Sequence, residues 1–111
     1  MNKTLEREVD QLHAEICAGL ADPKRILILY ELATGPRNVT ELAHSLNLSQ
    51  PLVSRHLKVL RDRGMVMATR QGAAVEYQLA DKRLIEALDI LRAVLHDTLS
   101  RRAELVSAFE A

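Results

Sequence analysis

A single cysteine, Cys17, is the only thiol in this chain of 111 residues, so no intramolecular disulfide can form and no zinc-finger cluster of cysteines is available. Aromatic residues are scarce too: one Phe, two Tyr and no Trp leave little material for the walls of a substrate pocket. The chain has no Gly-rich phosphate loop, no nucleophile elbow and no acid–base pair placed to share a cleft, so an enzyme reading finds no support. No apolar run is long enough to span a bilayer, and the opening MNKTLEREVD lacks the basic-then-apolar order of a signal peptide. Those two absences predict a cytoplasmic protein with no membrane partner. Net charge is missing as well, with 15 basic against 15 acidic residues.

The remaining composition reads as one small folded domain over residues 1–111, 48% hydrophobic and 27% charged, with no visible linker. The neutrality is only an average. Residues 37–72 hold Arg37, Arg55, Lys58, Arg61, Arg63 and Arg70 against Glu41 and Asp62, a local net +4, whereas residues 1–22 are net −3 and residues 73–111 net −2. Local field, more than total charge, governs steering and counterion release, so the basic middle segment points to a polyanionic partner.

That segment contains NVTELAHSLNLSQPLVSRHLKVL, residues 38–60, which reads as two short helices around a tight turn. Thr40 supplies a start signal for the first helix, and Leu42, Ala43 and Leu46 form its core side. Asn47 tolerates the left-handed conformation of a sharp turn, Leu48 plugs its inner side, and Ser49 caps a second helix whose first turn holds Pro51. At about 100° per residue, Val53, Leu57 and Leu60 share a core stripe in that helix, with His56 beside it. Gln50, Ser54, Arg55, Lys58 and Arg61 gather into a polar arc, interrupted by Asp62 near its end. These residue types read DNA: Arg bridges guanine O6 and N7, Gln bridges adenine N6 and N7, Ser bonds base edges or phosphate, and Lys anchors the backbone. An arbitrary charged arc is more often a solvated face, but a capped helix, a tight turn, a basic second helix and a following hairpin make a more specific pattern.

The hairpin comes directly after. Gly64 stops the helix, and strands at 65–70 and 74–79 flank Gln71-Gly72-Ala73, where Gly72 supplies a positive φ. Arg70 and Gln71 sit at the tip, where a wing would meet phosphates or the minor groove. The expected fold is therefore mostly α with one β-hairpin, a winged helix-turn-helix. Two long helices flank it: Leu5, Val9, Leu12, Ile16 and Leu20 form one apolar edge near the start, and Leu84, Leu88, Leu91, Leu95 and Leu99 form another near the end. One small domain cannot cover both edges, which predicts a homodimer through the N- and C-terminal helices.

The runs SQPLVSRHLKVLRDRGMV, TRQGAAVEYQL and ADPKRILILYEL, with this order of elements, closely resemble the ArsR/SmtB family of winged helix-turn-helix repressors over nearly the whole chain. The resemblance implies a homodimeric repressor that sits on double-stranded DNA at an imperfect palindrome and is released by an inducer. It also implies that the positions held by Gln50, Ser54 and Arg55 face the major groove. Arsenic, cadmium and lead sensors of the family carry Cys-Val-Cys-Asp-Leu where this chain has Asn38-Val39-Thr40-Glu41-Leu42. Zinc and nickel sensors use Asp-x-His and then His-x-x-Glu, but here Asp89 is followed by Leu91, and His96 has no downstream histidine. The family's thiol sensors use two cysteines. No metal cofactor is expected at these positions, and the inducer is unknown.

Two rival readings stand beside this one. His13 and Cys17, four apart on the first helix, and His96 with Asp89 on the last could meet at a dimer interface as a non-standard metal site. The ordinary reading of Cys17 is a packed core thiol. The other rival is a winged domain used for protein–protein assembly, whose second helix should carry apolar or acidic anchors instead of Gln50, Ser54, Arg55 and Lys58.

Overall fold

The computed structural model describes residues 2–110, ordered as α1 (Lys3–Leu12), a π-helical turn (His13–Cys17), α2 (Pro23–Leu32), α3 (Val39–Leu46), α4 (Gln50–Asp62), β1 (Val66–Gln71), β2 (Ala74–Leu79) and α5 (Arg83–Glu110). Each start has a physical cause. The Asn2 side chain accepts from Thr4 N–H ahead of α1, and Asp22 accepts from Lys24 N–H at 2.8 Å just before Pro23. At α3 the cap is Asn38 and not Thr40. Asn38 Oδ1 accepts from Glu41 N–H at 2.8 Å while the Glu41 carboxylate accepts from Asn38 N–H at 3.0 Å. This reciprocal box satisfies two orphan groups at once, which a lone Thr hydroxyl cannot do.

The core gathers where α2, α3 and α4 converge. Ile28, Leu29, Leu42, Val53, Leu57 and Leu60 are fully buried there, and Met65 closes one side. The first strand begins one residue later than expected, because Met65 turns its side chain into this core while its N–H bonds Leu60 O at 2.9 Å. The strands pair antiparallel with Gln71 opposite Ala74, so Gly72 and Ala73 alone form the loop. Gly72 has φ 63° and Ala73 is not in the positive region, the sign pattern of a type II′ turn, which suits the twist of a hairpin. Arg37 exchanges both backbone hydrogen bonds with Tyr77, at 3.0 and 2.8 Å, and so fastens the loop before α3 to the wing.

The apolar edge of the first helix does not run unbroken from Leu5 to Leu20. A π-helical turn takes in an extra residue and rotates the residues after it against those before it. Leu5, Val9 and Leu12 remain about half exposed, while Ile16 and Leu20 pack on the core. Gly19 approaches Met65 so closely that a Cβ there would lie 2.6 Å from the Met65 sulfur. The last helix divides in the same way. Leu84, Ile85 and Leu88 dock on the core, Tyr30 donates to Asp89 at 2.6 Å, and the Arg92 guanidinium lies 5.3 Å from the Tyr30 ring. Beyond that point the 28-residue helix, about 42 Å long, leaves the core, and Leu91, Leu95 and Leu99 are 59%, 56% and 49% exposed. Among the described residues no helix is long and apolar enough to cross a membrane.

Candidate nucleic-acid interface

The turn between α3 and α4 is held by backbone geometry. Asn47 adopts φ 53° and ψ 48°, a left-handed conformation that Asn tolerates better than most residues. Leu48 N–H bonds Ala43 O at 3.0 Å and its side chain packs against the core. Ser49 then caps α4, its hydroxyl accepting from Leu52 N–H at 3.4 Å. The result is a helix with one face fixed and one face free. Val53, His56, Leu57 and Leu60 are buried, whereas Gln50, Ser54, Arg55, Lys58 and Arg61 are all exposed. At the wing, Arg70 and Gln71 are exposed beside the two-residue turn.

Of the six cations counted in residues 37–72, the structure commits three locally. Arg37 donates to Pro36 O and to Thr34 Oγ1, both at 2.9 Å. Lys58 pairs with Asp62 at 2.9 Å across one turn of α4. Arg63 donates to the Ala14 carbonyl in the π turn and lies 3.7 Å from Glu15. Arg55, Arg61 and Arg70 join no carboxylate among the described residues. Within residues 37–72 the free positive charge thus lies on the exposed face of α4 and at the wing tip. Sequence counting had no means of separating these from the committed three.

Behind the exposed face, His56 fixes the roll of α4. Arg25 donates to the carbonyls of Gly19 at 2.8 Å and Ala18 at 3.2 Å, and its remaining nitrogen lies 3.4 Å from His56 Nδ1. A guanidinium only donates, so Nδ1 is the acceptor and the imidazole proton sits on Nε2. That Nε2 is buried without a hydrogen-bond partner, 3.9 Å from the Asp22 carboxylate. Burial pushes the His56 pKa down and outweighs the upward pull of Asp22. The Asp22 carboxyl is itself held below its ordinary range by the Lys24 backbone N–H. A neutral His56 therefore joins the end of the first helix, α2 and α4.

Cys17 is exposed on the chain, which corrects the expectation of a packed core thiol. One residue past Ile16, it lies outside the surface that Ile16 and Leu20 use for packing. Among the described residues no three His, Cys, Asp or Glu side chains come together to hold a metal, so His13, Cys17 and His96 do not meet within one chain. Asp89 is occupied by Tyr30 and by Arg92 at 3.5 Å, and His96 lies 3.5 Å from Asp97. His44 is exposed on α3.

A family model described as bacterial regulatory protein, arsR family, matches residues 22–67, the span from the cap of α2 to the start of the wing. The HTH-type transcriptional repressor SmtB of Mycobacterium tuberculosis is 42% identical over 90 residues, covering 81% of this chain; the match spans 65% of that repressor's length. The crystal structure of Rv0081 from the same organism superposes with a TM-score of 0.73 at 33% identity, covering 93% of this chain and 99% of that one. A homodimeric winged helix-turn-helix DNA-binding domain from Mycobacterium bovis, solved by NMR, gives a TM-score of 0.76 at 26% identity over 91% of this chain and 93% of that one.

Proposed function

The chain belongs to the ArsR family of bacterial DNA-binding transcriptional regulators, and from that membership we propose that it works as a homodimeric repressor of promoters carrying an imperfect palindrome. The observation that carries the proposal is the exposed face of α4, where Gln50, Ser54, Arg55 and Arg61 stand over a buried stripe and beside the wing. Gln50, Ser54 and Arg55 read base edges in the major groove, Arg61 meets phosphate, Lys58 reaches phosphate by exchanging its weak, exposed pair with Asp62, and Arg70 and Gln71 reach the neighbouring backbone or minor groove. The exposed stripes of α1 and α5 pair with a second copy, which sets two reading helices about 34–36 Å apart in successive major grooves. The M. bovis neighbour, a homodimer by its description, supports that assembly.

The inducer, in this reading, is not held at the family's usual metal positions. Asn38 and Thr40 stand where thiolates would be needed, and Asn38 is already engaged in the cap of α3. A salt titration of binding to duplex DNA tests the whole proposal. Affinity should fall steeply with salt, and Arg61→Ala should weaken all duplexes alike while reducing the slope by about one. A protein-assembly module would bind duplex DNA weakly and without sequence preference.

A further inference from the structure

A cleft of about 500 Å³ opens where three parts of the chain meet: the segment 33–36 after α2, the end of β2, and the start of α5. Its floor is aliphatic, with Leu32 buried and Leu79 and Ile85 half-buried. On its rim stand Lys82, just ahead of α5, and Glu86 in the first turn. Both are exposed, and neither forms an ion pair among the described residues. The lining holds no Cys and no His, so it suits no soft or borderline metal, and its volume falls within the range of small-molecule sites.

The position of this cleft gives it leverage. Pro36 leads into Arg37, whose backbone pairs with Tyr77 of the wing and whose side chain ties Thr34 to Pro36. The next residue, Asn38, caps α3. A molecule seated against 33–36 therefore presses on the segment that aligns both the helix pair and the wing, while its other side touches the helix that carries the exposed apolar stripe.

Building on the repressor function proposed for the chain, we propose that this cleft is the effector site and that it takes a small zwitterion with an aliphatic body, of the class of short apolar peptides. The body lies on Leu32, Leu79 and Ile85, the carboxylate meets Lys82, and the ammonium meets Glu86. The effector acts by favouring one setting of the 33–36 segment over another, since a ligand shifts an equilibrium only through its different affinity for the two states.

The test uses the full chain, labelled with nitrogen-15 and titrated with millimolar L-leucyl-L-leucine; hexanoate and hexylamine serve as single-charge probes. Backbone shifts should cluster at Thr34, Gly35, Leu79 and Ile85 with the dipeptide, and both single-charge probes should bind about tenfold more weakly, as expected when one charged group has no counterpart. The double variant Lys82→Ala/Glu86→Ala, altered only at exposed positions, should keep the rest of its spectrum and lose the dipeptide response. Equal binding by hexanoate or hexylamine, shifts that survive in the double variant, or no shifts in the cleft would each overturn the site. In a second arm, the dipeptide should lower duplex DNA affinity severalfold for the unmodified chain and not for the double variant. Unchanged DNA affinity beside clear cleft shifts would overturn the effector role. A chain that binds the dipeptide in the cleft but never binds duplex DNA would undo the repressor reading and leave the binding site standing.

Discussion

Leu95→Ala should weaken self-association of this chain far more than it weakens folding. Leu95 lies seven residues beyond Leu88, the last α5 residue buried in the core, and is 56% exposed on the single chain. Complete burial of a leucine is worth about 1.5–3 kcal/mol, so covering the exposed half contributes roughly 0.8–1.5 kcal/mol. A two-fold interface uses the same patch on both copies, which doubles the effect of each substitution to about 1.5–3 kcal/mol. At about 1.4 kcal/mol per factor of ten, the dimer dissociation constant should rise about 10- to 150-fold. Sedimentation equilibrium measures this directly. Asp97→Ala, on the opposite face of the same helix and also exposed, serves as the control and should change little. Leu95→Glu, which would place charge in the seam, should leave monomers or unfolded chain. A well-folded monomer at micromolar concentration for the unmodified chain, or equal behaviour of Leu95→Ala and Asp97→Ala, would refute the assembly.

Stability should fall as pH drops below about 6.5, the unperturbed histidine value, because the unfolded chain takes up the proton before the buried His56 does. Denaturant titrations of His56→Gln should show a flatter profile across that window, and the same slope with and without His56 would contradict the burial argument. Asn38→Ala should cost about 0.5–2 kcal/mol by removing the capping box at α3, read as a shift in the denaturant midpoint; an unshifted midpoint would mean the box is not formed in solution. Stoichiometric arsenite, cadmium or zinc should not release the protein from DNA, and because Cys17 is exposed, Cys17→Ser should leave both stability and operator affinity unchanged. Release that disappears in Cys17→Ser would make this thiol a sensor.

The local signals in the sequence were strong where a few residues decide the outcome. Asn47, Ser49, Pro51, Gly64 and Gly72 each punctuate the chain through their own backbone preferences, and the elements begin and end around them. The capping box at Asn38 and Glu41 was also legible, since the two residues stand three apart, but the hydroxyl of Thr40 obscured it. Other features depend on distant partners. Tyr30 and Asp89 are 59 positions apart, Arg63 and Ala14 are 49 apart, and no periodicity connects them. The π turn at His13–Cys17 has no sequence signature, yet it offsets Ile16 and Leu20 from Leu5, Val9 and Leu12 along the same edge. On α4 the projection separated core from exposed face correctly, and the spacing of Lys58 and Asp62 allows their pairing; what it could not show was that Arg63 is drawn to Ala14 and Glu15 of the first helix.

Whether α4 reads DNA sequence is decided by the ratio of affinity for a selected palindromic duplex to that for a scrambled duplex at one fixed salt concentration. For the unmodified chain the ratio should lie in the range of specific regulators, roughly 10³ or more. The double variant Gln50→Ala/Ser54→Ala should lower it by about 1–3 kcal/mol for each base left unread, with affinity for the scrambled duplex nearly unchanged. If the double variant instead keeps the full ratio, α4 is not the reader.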